Sequence, residues 1–299
     1  MKKLTLLLLI FSLLMSCKTE NTHSKKGNFI VDDLGNRFYF EQKPQRIISL
    51  APNLTEMIYD LKLEKYLVGN TIYCDFPEEA KHVEKVGDML TFNFEKIVSL
   101  KPDLIFITVE GNTKETYDKF KELGLRIFVS NPRNYEGIKK TYQDIGKIFS
   151  VNTESTLKNW DSTINRIKNG SKNFNKTAMF IVQLTPLMIA GPNTFLNEYL
   201  NFCGLKNIAY DSPLNYPIFN REEVIKRNPD FIIIPTSDND SADKMISIYP
   251  EWKTLKAIKN KKIIYVNNNL FLRPGPKFVK AVENLFNQVL QLEERVQHH

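Results

Sequence analysis

The sequence predicts an α/β protein of two similar lobes with mostly parallel central sheets, joined by one long helix, with a ligand cleft between the lobes. Three observations carry this. Short runs rich in Val, Ile and Phe alternate with helical patterns in both halves, as in parallel sheets covered by helices. From Tyr135 to about Phe174 the strand-like runs stop and helical periodicity takes over. The phrase NFEKIVSLKPDLIFI at 93–107 returns as NREEVIKRNPDFIII at 220–234 with N, E, P, D, I and I in register, so the second half repeats the first.

The elements follow in chain order. NFIVDDLGNRFYFEQ (28–42) alternates apolar and polar residues around the turn-forming quartet DLGN and predicts an edge hairpin. RIISLAPN (46–53) is a buried strand entering a helix, with Asn53 and Glu56 at capping-box spacing ahead of the stripe Met57, Ile58, Leu61. Then come strand YLVG (66–69), a loop through TIYCDFPEEA (71–80), a short helix entered at Asn93, strand DLIFITV (103–109), a helix from Lys114 to Leu123, and strand LRIFVS (125–130). The helical connector has periodic Ile138, Tyr142, Ile145 and Ile148, then Leu157, Trp160, Ile164 and Ile167. Strands return at AMFIVQL (178–184), followed by a helix through FLNEYLNFCG (195–204), a short helix entered at Asn220 and strand DFIIIP (230–235). A helix through WKTLKAI (252–258), strand KIIYVN (262–267) and a closing helix from Pro276 to about Leu292 complete the order. APN at 51–53 and GPN at 191–193 are each expected to open a helix, a second echo between the halves.

Ahead of the folded part, MKKLTLLLLIFSLLMSC has two lysines, an apolar run from Leu4 to Met15, then Ser16 and Cys17. The run is too short to span a bilayer, which needs about 20 residues, and reads as an export signal. Leu14 to Cys17 resembles a bacterial lipobox, so Cys17 is the expected lipidation site. The organisation is therefore a signal peptide at 1–17, a flexible polar tether at 18–27, an N-terminal lobe at 28–150, an interlobe helix at 151–174 and a C-terminal lobe at 175–299. Cys74 and Cys203 remain; they fall in different halves, and free thiols are expected over a bridge that would tie the lobes together.

The formal charge is +7, but lysines are scattered without a dense basic stripe, which argues against nucleic acid. No G-x-G-x-x-G, Walker loop, G-x-S-x-G or H-E-x-x-H occurs. The four histidines are His23, His82, His298 and His299, none in a metal-ligand pattern. No catalytic residue, metal site or cofactor is expected, and a two-lobed α/β transferase is disfavoured for want of a phosphate-cradling glycine loop. Glu95 and Glu222 each sit two residues after an asparagine cap. An acid there is favoured by the helix dipole, which accounts for either alone and less well for both.

The runs RIISLAPNLTEMIYDL, VGNTIYCDFPEEA, VGDM, NFEKIVSLKPDLI, YPIFNREEVIKRNPDFIII, W-x-x-L-x-A-I-K-N-K-K-I-I-Y-V and RPGPKFVKAVE together resemble the helical-backbone class of substrate-binding proteins of ABC importers. Within that class the chain is most similar to periplasmic cobalamin-binding proteins, from Phe40 to Leu290. The resemblance implies a monomeric, non-enzymatic receptor at the extracytoplasmic face of the cell envelope, touching the membrane only through its lipid. Its partners would be an ABC permease dimer with its ATPase subunits, and its cargo cobalamin or a related corrinoid, with haem or a ferric siderophore as the alternative. It assigns permease docking to Glu95 and Glu222, one per lobe. Ligand binding is carried over to Asn53, Tyr73 and Met89 in the first lobe and to Met188, Tyr216, Asn269, Phe271 and Arg273 in the second. Family members often have tryptophan where this chain has Met89 and Tyr216, an acid at Asn269, and a cysteine at Phe286 that would partner Cys203. Trp160 and Trp252 are expected to be packing residues outside the cleft.

Overall fold

The computed structural model describes residues 29–172, 174–236 and 242–297. The export signal, Cys17, the tether with His23, and His298 and His299 lie outside the described residues. The first lobe opens with the expected hairpin, β1 (Ile30–Val31) antiparallel to β2 (Arg37–Phe38). Its turn is held by the Asp32 carboxylate, which accepts from the Leu34 and Asn36 amides at 3.0 and 2.8 Å, with Gly35 at φ +85°.

The first sheet is all parallel, with β3 (Ile47–Ser49), β4 (Leu67–Asn70), β5 (Leu104–Thr108) and β6 (Ile127–Ser130) in the order β4-β3-β5-β6. Strands β3, β5 and β6 are buried along their full length, as expected of a sheet covered on both faces. The helices of this half are α1 (Pro52–Asp60), α2 (Phe94–Ser99), α3 (Lys114–Glu122) and α4 (Tyr135–Phe149).

The helical connector is broken. Ser150 adopts a left-handed conformation at φ 58°, the Val151 amide bonds back to Gly146 O at 2.8 Å, and α5 (Glu154–Gly170) starts afresh. Helix α4 packs on α1 in the first lobe, and α5 links it to the second.

The second lobe contains β7 (Lys176–Gln183), β8 (Met188–Ile189), α6 (Phe195–Phe202), β9 (Leu205–Asn207), α7 (Arg221–Arg227), β10 (Phe231–Thr236), α8 (Ala242–Ile248), α9 (Lys256–Lys259), β11 (Ile263–Asn267), α10 (Asn268–Phe271) and α11 (Phe278–Gln297). Strands β11, β10 and β7 are parallel neighbours; β9 joins the start of β7 in parallel and the short β8 folds back on its end.

Three local expectations are corrected. Helix α1 is capped by backbone at Ala51, with Pro52 at its start; Asn53 is already inside the helix and makes no cap hydrogen bond. GPN at 191–193 stays outside its helix, because Thr194 is the cap of α6 and its side chain accepts from the Asn197 amide. The segment through WKTLKAI is not one helix. Pro250–Thr254 forms a 3-10 turn, Leu255 is extended, and only Lys256–Lys259 is helical. The Trp252 ring there is fully buried, stacked on Tyr249 at 4.3 Å, while Trp160 packs on Tyr142 at 4.9 Å.

One hydrophobic core spans both lobes, beside a smaller cluster within each. Buried residues from β3, β5, α1 and α4 run without a break into those of β7, α6 and α11. Phe278, at the start of α11, stacks on Tyr135 of α4 at 5.7 Å and on Tyr199 of α6 at 4.7 Å. Glu198 of α6 accepts from the Tyr135 amide. Cys74 and Cys203 are free and buried, and Phe286 in α11 is a buried core residue.

Candidate functional site

A cleft of about 520 Å³ separates the lobes. It lies where parallel strands end, the position favoured for ligands in open α/β sheets. Its walls come from Ala51–Asn53 after β3, Tyr73 after β4, Thr108, Glu110 and Gly111 at the end of β5, and Pro132 after β6. The opposite lobe contributes Val182 of β7, Phe195 and Leu196 of α6, Tyr216, and Asn268, Asn269, Leu272, Arg273 and Pro274 after β11. Apolar walls with a few placed polar groups are the usual make-up of a small-molecule site.

Of the residues singled out in the sequence, Asn53, Tyr73, Met89, Tyr216, Asn269 and Arg273 all line this cleft. Tyr73 is 51% exposed. Tyr216 is partly buried, and burial pushes its hydroxyl well above the ordinary tyrosine range, with the Glu110 charge acting in the same direction. Asn53 does not cap its helix; its amide reaches across to the other lobe and donates to Pro274 O at 3.2 Å.

Met188 and Phe271 are not brought into the cleft. Met188 is on β8, bridged through its backbone to Ile218. Phe271 is fully buried, its ring 5.1 Å from that of Tyr199, because the short α10 turns it into the shared core while Asn268 and Asn269 face the cleft. The lining residues missed in the sequence are chiefly Thr108, Glu110, Gly111 and Asn268. Their position just past β5 and β11 was the available signal. At Gly111 a Cβ would stand 2.7 Å from Thr108 Oγ1 and 2.8 Å from Met89 Cε, so a side chain there would shift the tip of the methionine or the threonine hydroxyl.

The charged lining residues among the described residues are Glu110 and Arg273, and both are engaged. Arg133 Nε donates to Glu110 at 3.0 Å. Arg273 Nη1 donates to Glu56 Oε1 at 3.1 Å, and its Nη2 lies 2.7 Å from Asp75 Oδ1, an ion pair outside hydrogen-bond alignment. Lys277 also pairs with Glu56, at 3.1 Å. Burial raises the Glu56 carboxyl above the usual carboxylate range, opposed by Lys277 and Arg273. The cleft therefore presents apolar faces, the amides of Asn268 and Asn269, and no uncommitted cation in its described lining.

The duplicated phrase has the same local structure twice. Asn93 caps α2 by accepting from Lys96 N, and Asn220 caps α7 by accepting from Glu222 N. Both helices carry the chain back from a strand's carboxyl end to the start of the next parallel strand, so their N-termini lie at the cleft end of each lobe. Glu95 and Glu222 are exposed there, without an ion-pair partner among the described residues. Glu223, by contrast, is paired with Arg227 at 2.7 Å. His82 is exposed on a 3-10 turn.

Residues 47–270 match the sequence model of the family described as "Periplasmic binding protein". The chain is 29% identical over 254 residues to a vitamin B12-binding protein of Pectobacterium carotovorum, covering 83% of this chain and 90% of the relative. It is 30% identical over 271 residues to an uncharacterized ABC transporter substrate-binding lipoprotein of Bacillus subtilis, covering 87% and 84%. Among solved structures it is similar to the periplasmic vitamin B12 binding protein of Vibrio cholerae, with a TM-score of 0.72 at 25% identity, over 84% of this chain and 98% of that one.

Proposed function

The chain belongs to the periplasmic binding protein family, as a helical-backbone substrate-binding protein of an ABC importer on the extracytoplasmic side, and from that premise we propose that its cargo is cobalamin or a related corrinoid. The observation that carries this is the charge state of the cleft. A corrin periphery bears neutral amide arms, which match the Asn268 and Asn269 amides between apolar walls. Haem propionates and anionic ferric chelates call for free cations, and the one cation of the described lining, Arg273, is occupied by Glu56 and Asp75. Tyr73 and Tyr216 come from opposite lobes and offer faces for a flat macrocycle. The vitamin B12-binding relatives point the same way.

In this reading the protein is a monomer that delivers its cargo to a permease dimer with ATPase subunits. The two exposed glutamates, Glu95 and Glu222, engage one half of the permease each, so that a pseudo-twofold receptor meets a twofold transporter. The signal is cleaved ahead of Cys17, Cys17 becomes the lipidated N-terminus, and 18–27 tether the lobes to the membrane. Calorimetric titration with cyanocobalamin, haem and a ferric catecholate tests the cargo. Saturable binding of cyanocobalamin alone is expected; binding of haem without cyanocobalamin overturns the corrinoid reading.

A further inference from the structure

We infer that Arg273 is a positioning residue: with Glu56, Asp75 and Lys277 it forms an ionic latch that joins the lobes beside the cleft and holds the loop carrying Tyr73. Glu56 lies on α1 and Asp75 on the loop after β4, both in the first lobe; Arg273 and Lys277 precede α11 in the second. The Glu56 side chain is 1% exposed and that of Arg273 13%, so water competes little for this pair. Arg273 Nη2 also donates to Tyr73 O at 3.4 Å, which ties the tyrosine backbone itself to the opposite lobe. Lys277 closes the other side of the joint with its ammonium 3.8 Å from the centroid of Phe76. Asn53 adds its own bond to Pro274 O. One guanidinium thus fixes two things together, the spacing of the lobes and the place of an aromatic cleft wall. Spreading the lobes separates Arg273 from both carboxylates and frees the Tyr73 loop in the same movement, so release of the cargo and loss of its aromatic face are one event.

The effect on cargo rests on the corrinoid reading above; the latch itself does not. Glu56 and Asp75 are outside the cleft lining, so Asp75→Asn and the double variant Glu56→Gln with Asp75→Asn disarm the latch without removing a cleft side chain. In cargo-free protein, amide hydrogen exchange of residues 71–77 and 273–277 is expected to accelerate about tenfold in the double variant, the loss of one charge-assisted bond. Exchange in β5 and β10 should stay unchanged. Asp75→Asn alone, at a partly exposed site, should show a smaller change of the same pattern. Unchanged exchange in either segment, or equal acceleration throughout the molecule, overturns the latch. With cyanocobalamin as probe, the double variant should lose as much affinity as Arg273→Ala. A larger loss in Arg273→Ala would mean direct contact with the cargo and overturn the positioning role. Absence of cyanocobalamin binding in the wild type would remove the corrinoid reading and leave the exchange experiment to decide the latch.

Discussion

Removing the Tyr73 ring should weaken cargo binding far more than it weakens the fold, and the size of the effect follows from exposure. An aromatic side chain presents about 150–250 Å², and Tyr73 is 51% exposed in the empty cleft, leaving roughly 100 Å² for a flat ligand to cover. At about 25 cal/mol per Å² that is about 2.5 kcal/mol, or roughly 70-fold in dissociation constant. Tyr216 differs because much of its ring is already covered by protein. Tyr216→Ala should therefore give a smaller loss of affinity and a larger fall in melting temperature than Tyr73→Ala. The assay is calorimetric titration with cyanocobalamin for wild type and for Ala and Phe variants at both positions, with thermal unfolding of each. Tyr73→Phe keeps the ring and should bind nearly as wild type, whereas a phenolate bound to haem iron could not survive that exchange. Unchanged affinity in Tyr73→Ala would refute the reasoning, since the most exposed aromatic of the cleft would then lie outside the site.

The remaining expectations concern docking, anchoring and pH. Glu95→Ala combined with Glu222→Ala should abolish cargo uptake by cells while leaving calorimetric affinity unchanged; normal uptake would reduce both acids to helix-dipole residues. Cys17→Ser should yield unacylated protein with full cargo affinity, and mass spectrometry finding an acyl group elsewhere would sink the anchor. Burial raises the Glu56 carboxyl, against the pull of Lys277 and Arg273, so the folded chain holds this proton more tightly than the unfolded one. Its contribution to stability is full below the unfolded glutamate value of about 4.3 and is lost as pH rises through the raised folded value. Melting curves across that range should show Glu56→Gln gaining on wild type as pH rises, because ionising a buried carboxyl costs global stability even while its ion pairs hold the two lobes together locally; the opposite trend would refute this sign.

The doubling of the fold was legible because the repeated phrase and the strand–helix alternation are local signals, and the main strands of both sheets formed where the β-branched runs lay, while the short β8 and β9 carried no such run. Local signals failed where a distant contact decided the outcome. Asn53 and Glu56 have capping-box spacing, yet Pro52 starts the helix, leaving the amide to bond Pro274 and the carboxylate to bond Arg273, 221 and 217 residues away. Tyr73 and Asn269, which the family resemblance assigned to the cleft, do stand just past strand ends, Tyr73 in a loop after β4 and Asn269 in α10 after β11. Phe271 misled because α10 is a single turn, and one step along so short a helix exchanges the cleft for the core.

Phe278, joined to Tyr135 and Tyr199, has a consequence for how the chain is made. The first lobe does not complete its interior from its own residues, because Tyr135 on α4 is covered by Phe202 of α6 and Phe278 of α11, both from the second lobe. A first lobe made without the second would therefore leave these apolar faces uncovered, an association-prone state.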